Sequence, residues 1–337
     1  MRSLERTKKI MLKRRDLLGL GLAALSARAP MPAFAQPKYP ERPIRLVIPF
    51  PPGGVYDAVG RPWAERMKTT LGTMVVENQG GAGGSLGAAT VARARPDGYT
   101  LLLGGIGPLV INPIAGSRTP YDPLKDLESI SILVVTAFSV AVHPSLPVRT
   151  LQELLDYARK NPGKLSYGSA GVGSGNHLTG ELLKSLTGVD IVHVPYRGSG
   201  PSLTDLISGQ IPMIMANVTG QVIELHNAGK LRLLAVSSPE RLIAAPDIPS
   251  AGEAGLPGLI SRNFIGVLAP AQTPPEIVTH IAQASRTAMA DRELQQIYIA
   301  SGLEPSRDST PEQARKFLEE EIARWTPVIK GIGLKVD

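Results

Sequence analysis

Residues 130–142 have the sequence Ile-Ser-Ile-Leu-Val-Val-Thr-Ala-Phe-Ser-Val-Ala-Val, a β-type run that contains no glycine, proline or charged residue. The run has about 13 residues, whereas an ordinary strand has about 5–6. A strand of this length can leave one sheet and continue into a second. The stretch therefore predicts two lobes that one long strand connects.

Short apolar runs alternate with amphipathic stretches on both sides of this strand. Residues 45–49, 100–103 and 165–167 have the composition of buried strands, and residues 57–71 and 177–187 have helical periodicity. Strands that alternate with helices are typical of parallel sheets covered by helices on both faces. The sequence therefore predicts an α/β protein, and its length favours two sheets over one.

The composition excludes several classes of protein. Hydrophobic residues make up 43% and charged residues 19% of the 337 residues, which is typical of a globular chain and not of a disordered or multi-span membrane protein. The net charge of +7 is concentrated in residues 1–35, which contain eight basic and two acidic residues. The remaining chain has 28 basic and 27 acidic residues, so its charge predicts no nucleic-acid or anionic-membrane partner.

Residues 1–35 have the pattern of an export signal. Lys13-Arg14-Arg15 precedes an apolar run, Leu17–Ala27, that is shorter than the ~20 residues of a membrane-spanning helix. Ala33-Phe34-Ala35 then supplies a cleavage site, which predicts a periplasmic protein that is cleaved near Ala35. The arginine pair resembles a twin-arginine signal, and a Sec signal is the alternative. The absence of cysteine excludes a lipoprotein anchor, disulfides and a thiolate metal site.

Three glycine-rich loops follow predicted strands, at Phe50–Gly54, Gly104–Gly107 and Gly168–Gly175. Ligands of open α/β sheets bind at the carboxyl ends of strands, where helix N-termini favour anions. The loops lack the GK[ST] and G-x-G-x-x-G nucleotide motifs, and tight turns are the alternative interpretation of their glycines. We expect a carboxylate between Gly53-Gly54 and Ser169–Ser174, because these loops offer backbone N–H groups and hydroxyls with few charges.

Other candidates for chemistry are few. The five histidines have no i, i+2 or i, i+4 pair, so neither a metal site nor a cofactor is predicted. His177 fits either a capping and packing role or a ligand contact, and Asp57 fits either a helix N-terminal charge or a pocket acceptor. Ser169 lacks the first glycine of G-x-S-x-G, which disfavours an exported α/β hydrolase. Glu319-Glu320-Glu321 predicts a solvated helix face.

A series of motifs covers the mature chain in order. The chain resembles the substrate-binding proteins of tripartite tricarboxylate transporters, the Bug receptors. The resemblance is carried by residues 39–54 (YPERPIRLVIPFPPGG), 76–78 (VEN) with 81–84 (GAGG), 96–101 (PDGYTL), 120–123 (PYDP), 161–165 (NPGKL), 193–198 (HVPYRG), 234–237 (LAVS), 253–257 (EAGLP) and 268–271 (LAPA).

The resemblance implies a two-lobed periplasmic binding protein, type II-like, with the ligand in the cleft between lobes. It implies no enzymatic activity, a monomeric receptor and delivery of the cargo to a membrane permease; a receptor that feeds a signalling partner is the alternative. The cargo would be a di- or tricarboxylate, an aromatic acid or an amino acid. The long run at 130–142 and a return after Ser237 place residues 36–138 and 238–337 in one lobe and 139–237 in the other.

The family's pocket loops correspond to the glycine-rich loops identified above. Ala216 stands where family members often carry Asp, which disfavours a cargo that needs a carboxylate partner there, such as an amine. The expected ligand-binding residues are Phe50, Gly53, Gly54, Asp57, Gly104, Ile106, Ser169, Ala170, Gly173, Ser174, His177 and Asn217.

Overall fold

The computed structural model describes residues 39–116, 119–196 and 198–335. The export signal predicted for residues 1–35 lies outside these ranges. The chain divides into a short unit, Met1–Glu41, and a large unit, Arg42–Asp337, which holds the strands and helices of the described residues.

The strands and helices follow the predicted alternation. The strands are β1 (Ile44–Ile48), β2 (Met74–Asn78), β3 (Thr100–Gly105), β4 (Leu127–Val142), β5 (Leu165–Ser169), β6 (Ile191–Pro195), β7 (Met213–Asn217), β8 (Arg232–Val236), β9 (Arg262–Pro270) and β10 (Glu304–Pro305). The α-helices are α1 (Val55–Leu71), α2 (Ser85–Ala92), α3 (Asn112–Ala115), α4 (Leu151–Lys160), α5 (Gly175–Thr187), α6 (Ser199–Ile207), α7 (Gly220–Asn227), α8 (Pro275–Met289), α9 (Arg292–Ala300) and α10 (Pro311–Gly331). A 3₁₀ turn at Ala82–Gly84 and a π-helical turn at Gly107–Ile111 complete the elements of the described residues.

Strand β4 is the long strand that the sequence predicts, and it has 16 residues. Its first part, Leu127–Ala137, pairs with β9, and its last part, Phe138–Val142, pairs with β7 and β8. One strand therefore belongs to two groups of strands, in the order β2-β1-β3-β9-β4 and β4-β7-β5-β6. The lobe boundaries proposed from the sequence stay a prediction.

The α/β fold class is confirmed, with one refinement of the sheets. The outer strands β1–β3 and β5–β7 run parallel within each group, as βαβ units require. The strands around β4 are antiparallel, because β9, β7, β8 and β10 all run against it. Each sheet is consequently mixed, with its parallel part at the outside and its antiparallel part at the shared strand.

Helix α10 corrects one expectation about charge. Glu321 was expected on a solvated face, but its side chain is fully buried. Its carboxylate accepts hydrogen bonds from Arg262 Nη2 at 2.8 Å and from Trp325 Nε1 at 3.2 Å. Three consecutive residues on a helix span more than half of its circumference, so one member of an acidic run can face inward. The ion pair ties α10 to the start of β9.

Candidate functional site

The carboxyl ends of both parallel groups face the middle of β4. Gly105, the last residue of β3, pairs with Ile265 of β9, which pairs in turn with Val134 of β4. Asn217, the last residue of β7, pairs directly with Phe138 of β4. The loops that leave the two sheets at these ends therefore emerge towards the same stretch of β4, which is where ligands of α/β proteins bind.

The first loop, Phe50–Gly54, is held in place by Asp57. The carboxylate of Asp57 is 6% exposed and accepts hydrogen bonds from Gly53 N at 3.0 Å, Arg61 Nε at 2.6 Å and Asn78 Nδ2 at 3.1 Å. These bonds favour its role as a buried charge in the first turn of α1 over that of a ligand acceptor. The backbone of the loop is positioned by this carboxylate.

Gly53 and Gly54 are exposed, and neither has a heavy atom within 4 Å of the position that a Cβ would occupy. Gly54 is the N-cap of the 17-residue helix α1, and no side chain caps it. The first N–H groups of an uncapped helix lack intrahelical partners and carry a partial positive charge. This end of α1 has the properties of an anion-binding backbone.

An aromatic pair lies behind this loop. The rings of Phe50 and Tyr56 have centroids 4.4 Å apart, and Tyr56 lies against Gly105, where a Cβ would collide with its hydroxyl. Burial raises the pKa of Tyr56, so its phenol is neutral. Glycine at position 105 is therefore needed for the close approach of α1 to β3.

The glycine-rich segment Gly104–Gly107 differs from the expected loop. Gly104 is a residue of β3, and its Cβ would meet Leu109 Cδ1 at 2.7 Å, so its placement in a loop was wrong. The strand continues because antiparallel pairing with β9 extends to Gly105. Ile106 is 6% exposed and directly precedes the π-helical turn. The structure thus places Gly104 in the packed core and Ile106 at its margin.

A fourth loop, at Gly81–Ser85, lies beside Phe50. The amide of Asn112 donates from Nδ2 to Ala82 O at 3.2 Å and to Gly83 O at 2.9 Å. A Cβ at Gly84 would lie 3.1 Å from Phe50 Cζ. The run Gly81-Ala82-Gly83-Gly84 before a helix is recognisable in the sequence as a loop. The buried Asn112 that bonds to it lies about 30 residues later and belongs to no recognisable motif.

The loop after β5 is closed by its own side chains. Ser174 caps α5: its Oγ accepts from His177 N at 3.2 Å and donates to Gly171 O at 2.7 Å. Ser169 is fully buried, and its Oγ lies 2.7 Å from His193 Nε2 and accepts from Gly171 N at 3.0 Å. Both hydroxyls are thus engaged in shaping the loop.

Some backbone groups of the same loop are also hydrogen-bonded within the protein. Gly173 N donates to His177 Nδ1 at 3.2 Å, and Ala170 O accepts from Gly198 N at 3.1 Å. His177 is 8% exposed and stacks on His193 with ring centroids 4.1 Å apart. These contacts favour the capping and packing role of His177 over the ligand contact.

The two stacked histidines are neutral near pH 7. Burial, followed by the neighbouring His177, lowers the pKa of His193 to about 4. Burial likewise lowers the pKa of His177, although Glu181 opposes the shift. The phenol of Tyr167 donates to Glu181 Oε1 at 2.8 Å and lies 5.0 Å from the His193 ring. The stack therefore contributes no cationic side chain to the Gly168–Gly175 loop with which an anion could pair.

Asn217 ends β7 and is half-buried, with Nδ2 at 3.5 Å from Ser199 Oγ. It borders a cavity of about 140 Å³ between the beginnings of α6 and α7. In the ranges that the structure describes, His, Asp and Glu form no group of three that could hold a metal ion. No helix in those ranges has the length and hydropathy needed to cross a bilayer.

Comparison with known proteins points to one family. Residues 59–334 match the family model of the tripartite tricarboxylate transporter family receptor. The BugT protein of Bordetella pertussis is 33% identical over 322 residues, which cover 95% of this chain and 97% of BugT.

Two solved structures extend the likeness. An R. palustris protein solved with adipate is 34% identical with a TM-score of 0.73, and the match covers 88% of this chain and 99% of that one. MatC of Rhodopseudomonas palustris, solved with bound malate, is 31% identical with a TM-score of 0.71, covering 86% and 100% of the two chains. Both sequence and fold are thus shared along almost the whole length of these proteins.

Proposed function

Because the chain belongs to the tripartite tricarboxylate transporter receptor family, we propose that it is a periplasmic receptor that binds a small organic carboxylate and delivers it to a membrane permease. Two relatives of similar fold were solved with carboxylates, adipate and malate. The observation that carries the proposal for this chain is the N-terminus of α1 at Gly53-Gly54, which is exposed and has no side-chain cap.

The carboxylate is held between the Gly53-Gly54 loop and the Ala170–Ser174 loop. At the first loop, Gly53 N is bonded to Asp57, and the N–H groups of the uncapped first turn of α1 together with the helix dipole favour the anion. At the second loop, the side-chain hydrogen bonds fix the backbone, so binding there is through the main chain and bridging water. Residues 36–138 with 238–337 and residues 139–237 are the two lobes that close on the cargo.

One arrangement favours a second candidate, a hydrolase. The 2.7 Å separation of Ser169 Oγ and His193 Nε2 is that of a nucleophile and its base. However, Ser169 is 0% exposed, so its hydroxyl cannot reach a substrate without a change in the loop. We therefore prefer binding over catalysis.

A thermal-shift screen with small carboxylates and their methyl esters tests both candidates in one experiment. The protein without residues 1–35 is used, and binding should raise its stability by about 2.7 kcal/mol when the ligand is at 100 times its Kd. The free acid should stabilise the protein and its ester should not, because the helix terminus recognises the negative charge. Equal stabilisation by the ester contradicts the mechanism, and release of methanol from the ester identifies a hydrolase.

Delivery to a permease is tested separately. Transport of the identified acid by cells should require both this receptor and permease subunits encoded next to it. Uptake that is unchanged after deletion of the receptor, together with a neighbouring sensor kinase, would instead favour a signalling receptor.

A further inference from the structure

The cavity of about 140 Å³ beside Asn217 has an apolar floor and a polar rim. Leu203, Ile214, Ala216 and Val222 form the floor and are between 2% and 9% exposed. Ser199 and Gln221 lie at the exposed rim. None of the lining residues that the structure describes is charged. The cavity therefore offers dispersion contacts and neutral hydrogen bonds to an occupant.

The cavity lies at the end of β7, one strand away from β5, which leads into the Ala170–Ser174 loop. β5 and β7 are parallel neighbours, with Gly168 paired to Ile214, and adjacent strands are about 4.8 Å apart. Asn176, in the first turn of α5, donates from Nδ2 to Met215 O at 2.5 Å. The floor of the cavity is thus fixed to the same helix start that closes the Ala170–Ser174 loop.

We propose that this cavity takes the far end of the cargo and that this end is an uncharged alkyl or aryl group. The inference rests on the proposed function and deepens it by naming the class of acid. A comparable apolar cavity of ~150 Å³ holds a benzene molecule, so the space suits a ring or a short chain. A second carboxylate would enter a floor whose described residues carry no positive charge, and an unpaired buried charge is strongly disfavoured.

Matched pairs of acids test the class of cargo. Hexanoate and adipate differ only in the far group, as do benzoate and terephthalate, and each Kd is measured by calorimetry. The monocarboxylate of each pair should bind at least tenfold more tightly than the dicarboxylate. The adipate arm also contrasts this chain with its R. palustris neighbour, which was solved with adipate.

A substitution at the rim tests the location. Gly200 lines the cavity and has no heavy atom within 4 Å of a Cβ position, so Gly200→Phe is expected to cover the mouth without a clash in the fold. This variant should weaken hexanoate binding at least tenfold with an unchanged Tm in the absence of ligand. The matched control is Gly331→Phe, at the end of α10, where a Cβ is equally free. It should leave hexanoate binding unchanged.

The outcomes separate this inference from the proposed function. If the dicarboxylates bind more tightly, or if Gly200→Phe leaves the Kd of hexanoate unchanged, the cavity assignment is overturned while the carboxylate receptor stands. If no acid of either series binds, both the cavity assignment and the carboxylate receptor fail.

Discussion

Ser174 is a serine at the end of a loop, and the sequence around it does not distinguish a ligand-binding role from a helix-capping role. A serine before a helix can bind a ligand or cap the helix, and the pattern Gly173-Ser174-Gly175 is compatible with both. In the structure its hydroxyl bonds to His177 N and to Gly171 O. Ser174 was expected to bind the ligand, and its observed contacts predict instead that its substitution costs stability.

Ser174→Ala should lower the free energy of unfolding by about 1 kcal/mol, the usual cost of removing an N-cap. Urea denaturation of the protein without ligand measures this change. Ser174→Thr keeps an oxygen that can cap the helix and should be close to neutral. A variant that loses cargo affinity and retains full stability would show that the hydroxyl contacts the ligand after all.

His193 makes stability depend on pH. Its pKa is lowered from 6.5 to about 4 in the fold, so the unfolded chain binds more protons between these values. With respect to this group, the free energy of unfolding has its full value above pH 6.5. It falls as the pH drops towards 4, by at most ~1.4 kcal/mol per pH unit for one proton. Denaturation from pH 7 to 4 measures the slope.

Two variants assign that slope to the histidine stack. His193→Gln should make it shallower, because only His177 then remains as a histidine of the stack whose pKa is lowered. His143→Gln is the control, since His143 bonds Ser145 at 2.7 Å outside the stack. Equal slopes in wild type and His193→Gln would mean that other groups, such as Glu181, dominate this range.

At the scale of elements, helix α5 and strand β5 depend on one glycine. A Cβ at Gly180 would collide with the ring of Tyr167, which is fully buried. Gly180→Ala should lower the free energy of unfolding by about 1–3 kcal/mol, the typical cost of overpacking, although alanine favours helices. Gly200→Ala in α6 is the control: its Cβ has open space, so thermal denaturation should show an unchanged or higher Tm.

A second link between elements is the buried pair of Glu321 and Arg262. Removing one partner leaves an uncompensated charge, so Glu321→Ala should lower the free energy of unfolding by about 3–5 kcal/mol. Glu319→Ala removes an exposed pair with Arg315 from the same helix and should cost less than about 1 kcal/mol. Similar losses in the two variants would contradict the burial of Glu321.

Elements with clear periodicity were predictable, and those that depend on neighbours were not. Helix α4 occupies Leu151–Lys160, where Thr150 caps it and the buried apolar residues lie on one face, a pattern that the sequence itself displays. The π-helical turn at Gly107–Ile111 begins with Gly-Pro, which indicates a turn, and it forms where the chain packs against α10 and α2. Whether Gly104 ends a strand or begins a loop is likewise decided by β9, which lies far away in sequence.

At the scale of the whole molecule, β4 and α10 bind the two sheets into one body. A large core cluster contains Leu102 next to β1 as well as Tyr167 and Leu183 around β5, and a smaller one contains Ile214 of β7 and Leu233 of β8. We expect one cooperative unfolding transition, because neither sheet keeps its central strand if the other unfolds. Differential scanning calorimetry of the ligand-free protein checks this. Two resolved transitions would show that the lobes are independently stable.

The general architecture could be predicted from the length of the run at 130–142, but the antiparallel partners of that strand could not. Strand β9 follows β4 by more than a hundred residues, and nothing in its apolar sequence specifies which edge it joins. Pairing of this kind is decided by the closure of long loops and the burial of both faces. The site shows the same contrast. Its glycine-rich loops could be recognised in the sequence, whereas the contacts of the buried Asn112 and Asp57 could not be predicted from it.

β9 lies between β3 and β4 in the sheet but follows both in the sequence, so it becomes available last during translation. At roughly 5–20 residues per second, a ribosome needs on the order of 10 seconds to go from Val142, where β4 ends, to the end of β9. During that interval the nascent chain carries two unpaired strand edges and cannot close its first sheet. The first sheet therefore cannot be completed until the chain has been translated to the end of β9 at Pro270.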